Sequence, residues 1–221
     1  MAKSTLLSSS IAKKVGMALS GLFLILFLAQ HLFINSSSLF GPETFNFISH
    51  FMGNNPLVQY VIQPVLIIAV LFHFIMGFVL DYQNRKSRPV GYAKFNGAAN
   101  STWMSRNMIV SGAVVLAFLG LHLYDFWYPE MKYKYIDFNP LNETRYYDEL
   151  VHKFVDPVRT GLYCISFVLL ALHLWHGFNS SFQSIGFNNK YSKGLKNFAY
   201  GFSVVVPLGF IIIALFHHFN H

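Results

Sequence analysis

The sequence predicts an all-α membrane protein with five transmembrane helices. Only 11% of its 221 residues are charged and 54% are hydrophobic, whereas an ordinary soluble domain carries about 25% charged residues. The apolar residues also fall into five runs, each long enough as a helix to cross a bilayer core of about 30 Å. A chain of this composition cannot cover itself with polar side chains, so we expect it to lie in lipid.

The five predicted helices cover residues 15–35, 57–81, 104–126, 158–181 and 196–219. Helices are expected rather than strands, because an unpaired backbone is costly in lipid and the alternating pattern of a membrane barrel is missing. Residues 1–221 are treated as one transmembrane domain. Four of the helices are expected to form a bundle, which the fifth flanks.

Two segments outside these spans need comment. The first apolar run follows Lys13 and Lys14 as a secretory signal would, but no small-residue cleavage site follows Leu28, so we expect a retained helix. Residues 127–157 are polar and rich in tyrosine, without the periodicity of another span. A short surface helix is expected there, around Glu143–Phe154.

The basic residues predict the orientation of the chain. They gather in the N-terminal arm, in the loop between the second and third helices and in the loop between the fourth and fifth. The loop between the first and second helices has none, and those of the third-to-fourth loop are offset by acidic residues. Cytoplasmic loops carry the excess of Lys and Arg. We therefore expect a cytoplasmic N-terminus and an external C-terminus in a bacterial inner (cytoplasmic) membrane.

Charge and cysteine content exclude other classes of function. The net charge of +7 does not indicate nucleic acid, because the basic residues occupy short loops between apolar runs. The single cysteine, Cys164, has no partner for a disulfide. It also rules out an iron–sulfur cluster held by this chain alone, since such clusters need several thiolates.

An internal repeat relates the first two helices to the next two. The first and third helices share a Ser-Gly pair followed at one fixed distance by histidine; the copies are Ser20-Gly21 with His31 and Ser111-Gly112 with His122. The second and fourth helices share a His-x-x-x-Gly-Phe pattern; the copies are His73 with Gly77 and His173 with Gly177. Serine and glycine are common in membrane helices, but both patterns recur in the same order.

These four histidines fall at two depths. At 1.5 Å per helical residue, His31 and His122 lie about 25 Å from the predicted cytoplasmic edge, and His73 lies about 12 Å from it. His173 holds a similar inner position on the fourth helix. A lone buried histidine is usually bonded to a carbonyl, but here there are four, which pair by level.

The pairing predicts two b-type haems with two histidine ligands each. Neutral imidazole nitrogen fills either axial position of haem iron, and two histidines at one depth on different helices provide opposed ligands. We therefore expect His31 and His122 to bind one iron near the outside, and His73 and His173 another near the cytoplasm. His176 is an alternative to His173, or a contact for a propionate, but only His173 matches the His-x-x-x-Gly pattern.

Further residues are candidates for holding the haems. Gly77 and Gly177 lie one turn from their histidines, where a missing side chain lets a flat porphyrin approach, although close helix packing would also explain them. Gly21 and Gly112 belong to the repeated pattern. The haem propionates need donors or cations near the membrane edge; the candidates are Lys13, Lys14, Ser20, Arg106 and Ser111. Arg106 is equally well explained as an orientation charge.

With this set of histidines, the chain resembles the di-haem cytochrome b membrane-anchor subunit of succinate dehydrogenase or quinol:fumarate reductase. The similarity is to the single-chain, five-helix type, and it is carried by His31, His73, His122 and His173, each in a helix that bears an axial ligand in that family. It extends through nearly the whole chain, most weakly over residues 127–157 and the fifth helix.

The resemblance implies an electron-transfer role with partners. A flavoprotein subunit and an iron–sulfur subunit would bind the cytoplasmic face, against the basic loops 82–103 and 182–196. Electrons would pass from the iron–sulfur subunit through the two haems to menaquinone or another quinone near the outer side, for which Glu43 and His50 are the candidate residues. This chain has no dinucleotide motif of its own, so it does not act on succinate itself.

Alternatives remain at this stage. The same subunit in a fumarate reductase would run in reverse, but some of those enzymes carry a glutamate two residues before the fourth-helix ligand, where this chain has Ala171. A cytochrome b of quinol:cytochrome c reductase has two ligands per helix about 13 or 14 residues apart, and no helix here has such a pair. A haem-free transporter that uses the histidines as a proton relay is the distant alternative.

Overall fold

A computed structural model describes residues 9–87, 107–187, 189 and 191–220. The described part is helical and contains no strand. Its helices are α1 (Ser10–Ser36), α2 (Pro42–Asn54), α3 (Val58–Lys86), α4 (Met108–Ile136), α5 (Arg145–Val155), α6 (Pro157–Ser184) and α7 (Ser192–Phe219). A 3₁₀ turn, Ser37–Phe40, extends α1.

Five of these helices, α1, α3, α4, α6 and α7, are long and apolar enough to cross a membrane. The predicted all-α fold with five such helices is therefore confirmed. The predicted ends differ most in α4, which continues to Ile136 rather than ending at 126. Its predicted start at 104 lies outside the described residues. The polar continuation stays helical through two π-helical turns, Leu123–Trp127 and Lys132–Ile136.

Two shorter helices lie over one end of the bundle. The expected surface helix is present as α5, and α2 was not predicted. Gly41, with a φ of 116°, makes the turn that starts α2, a backbone conformation that favours glycine. Asn46 of α2 joins the two, because its Nδ2 donates to the carbonyl of Thr144 at 3.0 Å and its Oδ1 accepts from the amide of Tyr147 at 2.8 Å. We call this end the outer end, after the predicted orientation.

The hydrophobic core lies between α1, α6 and α7, and not at the centre of the first four spanning helices. Towards the outer end it includes Phe167 and Phe210, whose rings stack at 5.2 Å. Nearer the inner end, Ile25 packs with Leu174 and Phe178. Helix α7 therefore supplies much of the core against α1 and α6.

A large cavity separates α3 and α4 from this core. No residue of α3 is fully buried, and α4 buries only Asp125 within its described length. The cavity has a volume of about 1250 Å³ and is lined mainly by α1, α3, α4 and α6, with a few residues of α2, α5 and α7. Sites for one drug-sized ligand measure about 300–1,000 Å³, so this cavity is larger than one such site requires.

Gly209 of α7 should be needed for the close approach of α7 to α1. A Cβ atom at this position would lie 2.9 Å from Cδ1 of Leu32. Overpacking of this kind costs about 1–3 kcal/mol, so Gly209→Val should lower the midpoint of thermal unfolding in detergent by several degrees. Gly201→Val on the same helix is the control, because a Cβ there meets no atom within 4 Å. Equal midpoints for the two variants would contradict this packing.

Candidate functional site

Four histidines from four different helices line the cavity. His31 comes from α1, His73 from α3, His122 from α4 and His173 from α6. They lie at two levels, which we call the outer pair (His31 and His122) and the inner pair (His73 and His173). Two imidazoles thus approach each other from different helices at each level of the cavity.

The outer pair has its ring centres 5.7 Å apart, with the planes nearly perpendicular at 84°. Aromatic rings surround it. The ring of Phe27 stacks on that of His31 with the centres 5.4 Å apart, and the ring centre of Phe126 lies 5.2 Å from that of His122. Nδ1 of His122 is buried and has no hydrogen-bond partner within the described structure. A buried polar atom without a hydrogen bond costs free energy, so this nitrogen is a candidate to bind a ligand.

The inner pair has its ring centres 6.4 Å apart and its planes at 73°. A metal held about 2 Å from each of two opposed imidazole nitrogens would separate the ring centres by about 6 Å. Both pairs are close to this spacing. No group of three or more His, Cys, Asp and Glu side chains among the described residues is arranged to hold a metal ion.

Two serines fix the orientation of the inner-pair rings. The hydroxyl of Ser20 donates to the carbonyl of Met17 at 2.9 Å and lies 3.2 Å from Nδ1 of His73. Because the hydroxyl hydrogen is donated to the carbonyl, the serine oxygen acts as the acceptor for Nδ1–H of His73. Nε2 of this imidazole is then free to bind a metal.

The repeat produces the same arrangement on the other half of the bundle. The Ser111 hydroxyl donates to the carbonyl of Met108 at 3.0 Å and lies 3.2 Å from Nδ1 of His173. Both serines were predicted to serve haem propionates. The structure places their hydroxyls against the two imidazoles of the inner pair.

The four candidate glycines also form two equivalent sets. A Cβ at Gly21 would lie 3.3 Å from Cε1 of His73, and one at Gly112 would lie 3.7 Å from Cε1 of His173. Gly21 therefore makes room for the His73 ring, whereas a Cβ at Gly112 would be in ordinary contact with the His173 ring. Gly77 and Gly177 line the cavity, and a Cβ at either would lie 3.5 Å from the terminal methyl of a methionine, Met17 or Met108.

His176 also lines the cavity, half-buried on α6. The ring opposite His73 is that of His173. Of the other groups predicted near the inner level, Lys14 lines the cavity and Lys13 Nζ lies 3.4 Å from Oε1 of Gln83. Arg106 lies outside the described residues.

The two candidate quinone residues do not line the cavity, although the ring centre of His50 lies 6.3 Å from that of Tyr146. Glu43 is exposed in the first turn of α2. His50 is half-buried, with Nε2 3.7 Å from the carboxylate of Glu143 and Nδ1 3.1 Å from Asn54. Neither is among the described residues that line the cavity.

Sequence reasoning missed a set of polar groups where the cavity reaches the outer end. We call it the outer polar chamber; its members are Gln59, Glu130, Lys134, Arg145, Tyr146 and the carbonyl of Gly53. The Gly53 carbonyl accepts from Gln59 and, at 2.5 Å, from Lys134. Lys134 also pairs with Glu130 at 2.6 Å. The missed signal was the run of charges in the helical continuation of α4.

Arg145 of α5 closes the chamber. It pairs with Glu130 and with Glu149, and its guanidinium lies 4.1 Å from the centre of the Tyr133 ring. Burial would lower the pKa of Arg145, but hydrogen bonds to the two glutamates raise it above its ordinary value, so the side chain stays cationic. Burial has the opposite effect on Tyr146: it raises the pKa of the hydroxyl, which therefore stays neutral.

No protein family, curated protein or solved structure matched this chain. Function must therefore be argued from the site. Its main features are two imidazole pairs at two levels of one apolar cavity, and a polar chamber at the outer end of that cavity.

Proposed function

We propose that this chain is the membrane-anchor, electron-transfer subunit of a succinate dehydrogenase, with two b-type haems. The observation that carries the proposal is the pairing of four imidazoles, at ring distances of 5.7 Å and 6.4 Å, from four spanning helices. The fit of both pairs to axial ligation, together with the size of the cavity, supports two haems. The same subunit in a quinol:fumarate reductase is the alternative, with electron flow reversed.

The residues that would hold each haem are the paired histidines. When bound, each haem supplies one-electron redox chemistry, with iron cycling between the ferric and ferrous states. The chain orients the rings: Ser20 and Ser111 accept from Nδ1–H of the inner pair and so present Nε2 to the iron. Phenylalanines around the outer pair exclude water from it.

The inner end is suited to the soluble partners. Arg85 and Lys86 end α3, and Lys193 and Lys196 begin α7 on the same side of the bundle. The remainder of the proposed docking loop, from residue 88 to 103, lies outside the described residues. An iron–sulfur subunit that carries electrons from a flavoprotein would bind this basic surface.

We further propose that the quinone headgroup binds in the outer polar chamber, in place of Glu43 and His50. A quinone ring has two carbonyl oxygens, which need donors such as the Lys134 ammonium and the Gln59 amide. After reduction its hydroxyls need acceptors, which the Glu130 carboxylate provides. The chamber contributes Gln59 and Glu130 to the lining of the cavity that holds the outer pair.

Replacement of His173 should remove one haem, and replacement of His176 should not. In His173→Ala the partner of His73 is lost, whereas in His176→Ala both imidazole pairs remain. The measurement is the haem content per chain of each purified variant, with its reduced-minus-oxidised spectrum. If His176→Ala loses a haem and His173→Ala retains both haems, His176 and not His173 is the ligand.

Glu130→Gln should weaken quinone binding without changing the haem spectrum. Loss of a hydrogen bond to a charged group costs about 1.5–3 kcal/mol, which corresponds to about a ten- to hundredfold rise in the apparent KM for a soluble quinone. Glu143→Gln is the control, because its side chain is 78% exposed at the same end. Glu130 also pairs with Arg145, so its replacement could disturb the packing of α5. Gln59→Leu is therefore the second variant. An unchanged KM in both variants would exclude the chamber as the quinone site.

A further inference from the structure

Asp125 is a carboxylate buried where apolar side chains would be expected. It is 1% exposed and is the only acidic residue among the fully buried side chains of the described structure. It lies in the π-helical turn Leu123–Trp127, which begins directly after His122. Such turns shift the helix face and often occur at functional sites. The turn directs Asp125 into the bundle close to the outer pair.

Two partners stabilise the buried carboxylate. Nη1 of Arg159 lies 2.9 Å from Oδ1, and the hydroxyl of Tyr163 donates to Oδ2 at 2.9 Å. Both partners come from the outer part of α6, so the group also joins α4 to α6. The Arg159 side chain is 30% exposed, whereas that of Asp125 is 0% exposed. Solvent therefore screens the positive charge more than the negative one.

Tyr163 contacts both the buried carboxylate and the outer pair. Its ring centre lies 6.2 Å from that of His122 and 5.1 Å from that of Phe118. The inner pair has different polar neighbours, since its rings are held by the neutral hydroxyls of Ser20 and Ser111. The repeat gives the two pairs similar histidines, but among the described residues only the outer pair is linked to a fully buried carboxylate, through Tyr163.

We propose that Asp125 lowers the reduction potential of the outer haem relative to the inner one. The proposal rests on the function proposed above. A negative charge in a low-dielectric interior favours ferric over ferrous iron, because the ferric state carries one more positive charge. The Arg159 charge offsets this only in part, because it lies at the edge of the bundle and reaches solvent.

Asp125→Asn should therefore raise the midpoint potential of the outer haem and leave that of the inner haem unchanged. The measurement is a spectroelectrochemical redox titration of the purified complex, in which the outer haem is the transition that His31→Ala removes. Glu143→Gln is the control, since it removes the same charge at the exposed surface and should shift neither potential. An unshifted outer haem in Asp125→Asn, or an equal shift of both haems, would overturn the proposal.

A second pair of variants keeps the proposal testable if Asp125→Asn fails to assemble. Arg159→Gln should shift the outer potential in the opposite direction, downwards, because the carboxylate loses its cation. Arg159→Lys keeps the positive charge and should leave the midpoint potential of the outer haem unchanged. Loss of packing alone would not produce opposite shifts from the two members of one ion pair, so an upward shift in Arg159→Gln contradicts the proposal. A wild-type chain without haem would refute the proposed function itself, before any variant is titrated.

Discussion

The cost of placing imidazoles between apolar helices is the constraint on which the rest of this structure depends. Each ring carries a donor and an acceptor, and hydrocarbon satisfies neither. The bundle meets this cost by bringing the rings together in pairs and by giving the inner pair serine hydroxyls as partners. Nδ1 of His122 is left without a hydrogen bond in the described structure. The two proposed axial ligand sites at two depths would account for these features together.

The fully buried apolar side chains lie mainly on α6 and α7, beside the cavity of about 1250 Å³ that the four histidines line. Gly209 of α7 allows a close approach to Leu32 of α1. The fifth spanning helix bears no histidine of the two pairs, and it supports the helices that do.

Much of the fold and of the histidine set could be predicted from the sequence, because both depend on periodicity and on spacing along single helices. The five spanning helices follow from run length, and the levels of His31 and His73 follow from a constant rise per residue. Contacts between helices depend on rotation about the helix axis, which π-helical turns alter. For this reason the burial of Asp125, which lies in such a turn, was not predicted.

The outer polar chamber was missed for a related reason. Glu130 and Lys134 stand in a polar, tyrosine-rich segment that composition alone assigns to a loop, yet they continue α4. Lys134 donates to the Gly53 carbonyl of α2, and Glu130 pairs with Arg145 of α5. Long-range ion pairs of this kind leave no periodic pattern in a single sequence.

The most direct test of the account is the haem content of the purified wild-type chain, measured together with the electron paramagnetic resonance spectrum of its oxidised form. We expect two b-type haems per polypeptide, both low-spin with two imidazole ligands. A colourless protein, or a single haem per chain, would contradict the assignment of His31, His73, His122 and His173 as two ligand pairs.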